Sequence, residues 1–152
     1  MVPDRDAIGR LRRLGEVQDL REQAAAVQLG KAQLQSLASR ALWQDATGRE
    51  AELAGKFRRM LQSGGFACGA YADALDLLHA HTAETQFRLA ELREAEAQQA
   101  MADANFLTAK AAAGLVQQNL ARSARQFQRK TIDRQEREGC DLYNMRLGEH
   151  GR

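Results

Sequence analysis

The chain has a single proline, Pro3, in 152 residues, so nothing beyond the first turn forces a helix to break. Aromatic residues are scarce at 5%, and there are only four valines and two isoleucines. A sheet has little to build on with so few β-branched and aromatic side chains. The hydrophobic 44% is mostly alanine and leucine, which favour helix. The two cysteines, Cys68 and Cys140, have no Cys-x-x-Cys or Cys/His spacing, so neither a disulfide framework nor a zinc site is indicated. On one continuous helix, rising about 1.5 Å per residue, they would stand roughly 100 Å apart. No intramolecular disulfide bridges that distance.

Long apolar runs are also missing. The uncharged stretch 111–121 contains Gln117, Gln118 and Asn119 and is far short of the roughly 20 apolar residues that cross a bilayer. The opening MVPDRDAIGRLRRLG lacks the apolar core of a secretory signal. These features predict a soluble, cytoplasmic protein with no direct membrane insertion. Charge of one sign is not dominant either: 22 Lys and Arg stand against 20 Asp and Glu, a net +2. A nucleic-acid footprint would be far more one-sided.

What is present is periodicity. From Val17 the apolar or small positions fall at Val17, Leu20, Ala24, Val27, Lys31, Leu34, Ala38 and Ala41, the alternating 3,4 spacing of a coiled-coil seam with one charged interruption. Beyond Leu42 the seam changes phase and continues as Trp43, Ala46, Glu50, Leu53, Phe57 and Met60. Such a drift predicts pairing that is not a strict heptad coil. A second pattern runs through Tyr71, Leu75, Leu78, Thr82, Thr85, Leu89 and Leu92, loosens into EAEAQQAMADANFLTAKAAAGL, and resumes at Val116, Leu120 and Phe127.

The expected fold is all-α: a single elongated antiparallel two-helix coiled-coil hairpin, with a helix over about 4–62, a loop over about 63–70, a helix over about 71–137 and a frayed C-terminal tail. Helices of this length are not stable on propensity alone, so each stripe must be buried, and the nearest partner is the other helix. Antiparallel return pairs Met60 with the 71–75 turn, Trp43 with the region of Leu89, and Val27 with Phe106. It also sets Ala24, Ala25 and Ala26 against Ala111, Ala112 and Ala113. Gly30, Gly48, Gly55 and Gly114 each weaken a helix by about 1 kcal/mol relative to alanine; they read either as tolerated flexibility or as points of close contact with a partner.

Candidate sites are few. The cluster SGGFACG, 63–69, has no Lys-Ser/Thr and no preceding strand, so it is no phosphate loop. Its glycines supply the positive φ angles that end one helix and turn the chain, leaving Cys68 as an exposed thiol. His79 and His81 are two apart, on nearly opposite sides of a helix, and cannot share a metal; they read as solvated. No cofactor is indicated, and a two-helix hairpin offers no pocket for catalysis. The apolar residues beside the bend, Leu53, Phe57, Met60, Leu61, Phe66, Tyr71, Leu75, Leu77 and Leu78, exceed what one seam buries, so part of the set closes the tip and part faces a partner. Residues 1–63 hold 11 Lys or Arg against 8 Asp or Glu, 64–121 hold 3 against 7, and 122–152 hold 8 against 5. The run Arg122, Arg125, Arg129, Lys130, Arg134 and Arg137 places much of its charge on one face. Asp133, Glu136 and Glu138 are interleaved with it, which favours a protein-docking or solvated face over nucleic acid.

Three segments together carry a resemblance: the Arg/Leu-rich start IGRLRRLGEVQDLREQAAAVQLGKAQL, the Gly/Ser bend followed by YADALDLL, and the basic, Gln-rich close FQRKTIDRQEREGCDLYNMRLGEHGR. The chain resembles the FliJ/YscO/HrpO family of type III export systems over nearly its whole length. The paucity of aromatics near the bend favours an injectisome member over a flagellar one.

The resemblance implies a non-enzymatic stalk, similar to the two long helices of the rotary ATP synthase gamma subunit. Such a stalk sits in the hexameric export ATPase and links it to the export gate, a membrane protein; some relatives handle secretion chaperones. It places the protein in the cytoplasm, peripheral to the inner-membrane export apparatus. On this reading Arg12, Arg13, Arg122, Arg125, Arg129, Lys130 and Arg134 face the ATPase pore, and Phe57, Tyr71, Leu75 and Leu78 face the gate. The alternative is a structural or adaptor coiled coil that self-associates or escorts secretion chaperones.

Overall fold

The computed structural model describes residues 5–65 and 67–149, with side chains to residue 146. Asp4 and Phe66, which the sequence reading used, lie outside the described residues, as do the last three positions. Two helices, α1 (Arg5–Ser63) and α2 (Cys68–Glu149), make up the structure. They pack against each other as a two-helix hairpin, and no strand occurs among the described residues.

The connection is shorter than the expected 63–70. Among the described residues Gly64 alone adopts a left-handed backbone, φ 68°, and it ends α1 by the usual glycine device. The Ser63 hydroxyl donates to the Met60 carbonyl at 2.9 Å. The Tyr71 N–H donates to the Ala67 carbonyl at 3.2 Å, so the helical pattern is established three residues before Tyr71. Gly69 lies inside α2 and does not help the turn. The frayed tail is also corrected: α2 continues through 138–149, where only Gly139 and Gly148 oppose helix and no proline stops it.

The packing divides into two units. In the unit of residues 25–106, α1 turns inward at Ala25, Leu29, Ala32, Ser36, Ser39, Trp43, Ala46, Glu50, Leu53, Phe57 and Met60. α2 answers with Leu78, His81, Thr85, Arg88, Leu92, Ala95, Gln99, Ala102 and Phe106. Arg40 meets Glu96 at 2.7 Å and Arg49 meets Glu84 at 3.5 Å, pairs between the two helices that agree with an antiparallel register. In the unit formed by 5–24 with 107–149, Leu11, Gly15 and Gln18 turn inward from α1, and Ala113, Val116 and Leu120 from α2. Gln117 Nε2 donates to Asp19 Oδ1 at 3.2 Å.

This arrangement overturns the expected seam of the first half of α1. Val17, Leu20, Ala24, Val27, Lys31, Leu34, Ala38 and Ala41 are all exposed. The true inward positions keep one unbroken 3,4 spacing from Ile8 to Met60, so the phase change at Leu42 does not exist and the spacing is a strict heptad. The helix carries two heptad stripes on opposite faces, and the most deeply buried positions of the inner one are small residues. Ala46 is 1% exposed, Ala95 3%, Ala113 1% and Ser36 4%, while no large side chain among the described residues is fully buried. The two alanine triplets divide likewise: Ala25 is half-buried and Ala113 buried, while Ala24, Ala26 and Ala111 are exposed.

Candidate functional site

Two sets of residues were expected to meet partners, and the helices place them differently. Beside the bend, the Phe57 and Tyr71 rings lie 5.4 Å apart between centroids with planes tilted by 38°, a separation suited to an attractive aromatic pair. Phe57, Leu75 and Leu78 are half-buried. Three of the four gate-facing candidates are therefore engaged in closing the hairpin, and only Tyr71 keeps 36% of its surface. The apolar residues left open there are Leu61 and Leu77, 44% and 49% exposed.

The cationic candidates are exposed without exception. Arg12 and Arg13 follow the inward-turned Leu11 on α1. On α2, Arg122, Arg125 and Arg129 line one open depression of about 560 Å³ together with Gln118, Asn119 and Gln126. Their 3,4 spacing sets them on the face away from Leu120 and Ser123, which are half-buried. Lys130 and Arg134 continue the inward heptad positions and so leave this face; Arg134 Nε reaches Glu138 Oε1 at 2.8 Å. The expected stripe thus resolves into a trio of arginines and a separate, partly neutralised pair. Every described side chain from 124 to 146 is exposed, a long helical surface offering cations and donors to water or a partner.

A polar cluster inside the 25–106 unit escaped the sequence reading as an interaction. Glu50 sits at an inward position of α1, and the Thr82 hydroxyl donates to its Oε1 at 2.8 Å. The hydroxyls of Thr85 and Thr82 beside this carboxylate, with a smaller contribution from His81, hold Glu50 below its ordinary pKa of 4.5. His81 is half-buried, a correction to its expected solvation. Its Nδ1 is buried without a hydrogen-bond partner and lies 3.7 Å from Glu84 Oε2. His79 is exposed. The heptad phase places 81 inside and 79 outside, and it could have been read from Leu78 and Leu92 by counting in threes and fours.

The chain matches no family model, no curated protein and no solved structure.

Other chemistry is thin among the described residues. No group of three His, Cys, Asp or Glu side chains could hold a metal, and no helix is long and apolar enough to cross a membrane. Cys68 and Cys140 are free and exposed. A Cβ built on Gly30, Gly48 or Gly114 meets nothing within 4 Å, and at Gly55 it meets only the Arg59 side chain at 4.0 Å. None of these glycines serves a close approach within the chain.

Proposed function

We propose that the chain is a non-enzymatic stalk component of a type III protein export apparatus, bound within the hexameric export ATPase and coupled to the export gate. The observation that supports this most directly is the exposed arginine trio Arg122, Arg125 and Arg129 on a helical surface that stays open to residue 146. Guanidinium groups at one face suit the carboxylates of a ring pore, where each charge-assisted pair is geometrically selective. Two helices inside six subunits make unequal contacts, and they bias the ring only by binding its conformational states with different affinity. Leu61, Leu77 and the open edge of Tyr71 are the residues available to a gate.

The test is to mix the protein with the export ATPase of its own organism and follow hexamer formation and ATP hydrolysis. Stimulation is expected, and Arg125→Glu with Arg129→Glu should weaken it about tenfold or more. A competent ATPase that ignores the wild-type protein refutes the reading.

A second reading, a self-associating coiled coil, is favoured by a separate observation: large apolar residues stand exposed at heptad spacing on the outer faces of both helices. Leu34 is 70% exposed, Val27 57%, Met101 68% and Phe87 59%. It predicts a mass in solution above that of one chain.

A further inference from the structure

Within the 25–106 unit, each helix presents a second 3,4 stripe on the side away from the seam. On α1 it reads Val27, Lys31, Leu34, Ala38, Ala41; on α2 it reads Ala90, Glu94, Ala97, Met101, Ala104, with identical spacing. All ten positions are exposed. Laid side by side in the same direction, the stripes pair Val27 with Ala90, Lys31 with Glu94, Leu34 with Ala97, Ala38 with Met101 and Ala41 with Ala104.

Each apolar level then contains at least one alanine, so a large side chain always meets a small one, which close packing requires. The one charged level brings opposite signs together. The reverse direction loses both properties: Lys31 falls opposite an alanine, and Leu34 opposite Glu94, Met101 or Phe87. Pairing α1 with a parallel α1 sets Lys31 on Lys31. Pairing α2 with α2 leaves Lys31 uncompensated. Within one hairpin Lys31 forms no ion pair among the described residues, and Glu94 receives only Gln98 Nε2 at 3.3 Å.

We infer that a second copy of this chain docks here, the outer face of α1 in one copy lying parallel against the outer face of α2 in the next, with Lys31 and Glu94 as its charged level. This rests on the self-associating reading and names its surface. The two stripes point to opposite sides of the unit, so one contact leaves a free face of each kind. Such a contact is heterologous, and it repeats until the chain of copies closes or runs on. Among the flanking positions Gln28, Gln35, Gln98 and Asn105 carry no charge, and the charged Glu91 and Arg93 beside the α2 stripe fall level with Gln28 and Gly30 of α1, so like charges do not meet there.

Sedimentation of the full chain over a range of concentrations tests it, and the expected result is a mass that keeps rising with concentration. Lys31→Glu and Glu94→Lys should each weaken association about tenfold or more by setting like charges together, and the combined Lys31→Glu/Glu94→Lys protein should recover it. A second measurement mixes a Leu34→Cys chain with an Ala97→Cys chain, both carrying Cys68→Ser and Cys140→Ser. Oxidation should give the mixed disulfide in preference to either self-linked product. A wild-type protein that stays monomeric throughout removes this inference together with the self-associating reading. Association that ignores both charge reversals, or that the double reversal fails to restore, removes these faces and leaves self-association standing.

Discussion

Within residues 25–106 the two faces of the same helices can be compared directly. The seam holds Ser36, Ala46 and Ala95, at most 6% exposed like Leu92 beside them, whereas the outer faces hold Leu34, Met101 and Phe87 with well over half their surface open. Apolar area contributes roughly 25 cal/mol per Å² only where water is excluded. The most deeply buried positions of the inner face therefore set register and close approach, while its larger side chains Trp43, Leu53, Phe57 and Phe106 are only half-buried. Helices of 59 and 82 residues owe most of their stability to packing, and the larger reserve of packing lies outside.

The comparison breaks most visibly if volume is added to the seam. Ala46 is 1% exposed, and Ala46→Leu should destabilise by about 1 to 3 kcal/mol through overpacking. Leu34→Gln, on the open face, should change the stability of the dilute chain by no more than about 0.5 kcal/mol while lowering its mass at high concentration. Urea unfolding at low protein concentration measures both. Equal losses for the two variants would mean that Leu34 is already covered and that the two faces do not differ as described.

A smaller effect separates inner from outer glycines. At the buried Gly15 an added Cβ would lie 3.8 Å from Val116 Cγ1, ordinary contact, whereas at the exposed Gly48 it would meet nothing within 4 Å. Both substitutions to alanine gain helix propensity of about 1 kcal/mol. Gly15→Ala adds a contact and should raise the thermal midpoint more; a fall for Gly15→Ala would show that the seam there tolerates no methyl group.

Much of the architecture was legible because punctuation was absent. With no proline after Pro3 and one glycine-rich cluster, only one turn was available, and the antiparallel pairing of Trp43 with the Leu89 region agrees with the observed Arg40–Glu96 and Arg49–Glu84 pairs. The seam of the first half of α1 was not legible by size. Val17, Leu20, Val27 and Leu34 form a cleaner apolar series than Gly15, Gln18, Ala25 and Ser36, yet the latter continue the phase of Trp43, Ala46 and Phe57 without a break. Phase continuity, set by one helix lying along another, outranked side-chain volume. The bend candidates show the same rule: Phe57 and Leu78 occupy seam phases and close the hairpin, while Leu61 and Leu77 do not and stay open.

The smallest expected effect probes the carboxylate that α1 places in the seam of the 25–106 unit. Glu50 has its carboxyl held below 4.5 by the Thr85 and Thr82 hydroxyls and, less strongly, by His81. A group whose pKa is lower folded than unfolded contributes stability above its unfolded value and loses it as pH falls through the folded one. Near neutral pH the contribution is therefore fully present, and it disappears on acidification below the ordinary 4.5. Glu50→Gln keeps the size and can still accept from Thr82, but it cannot titrate. Subtracting its stability-versus-pH curve from that of the wild type should leave a difference that is level near neutrality and narrows in acid, since the other carboxylates are common to both chains. Parallel curves would show that the threonine hydroxyls favour neither protonation state, and that the seam tolerates Glu50 through solvent alone.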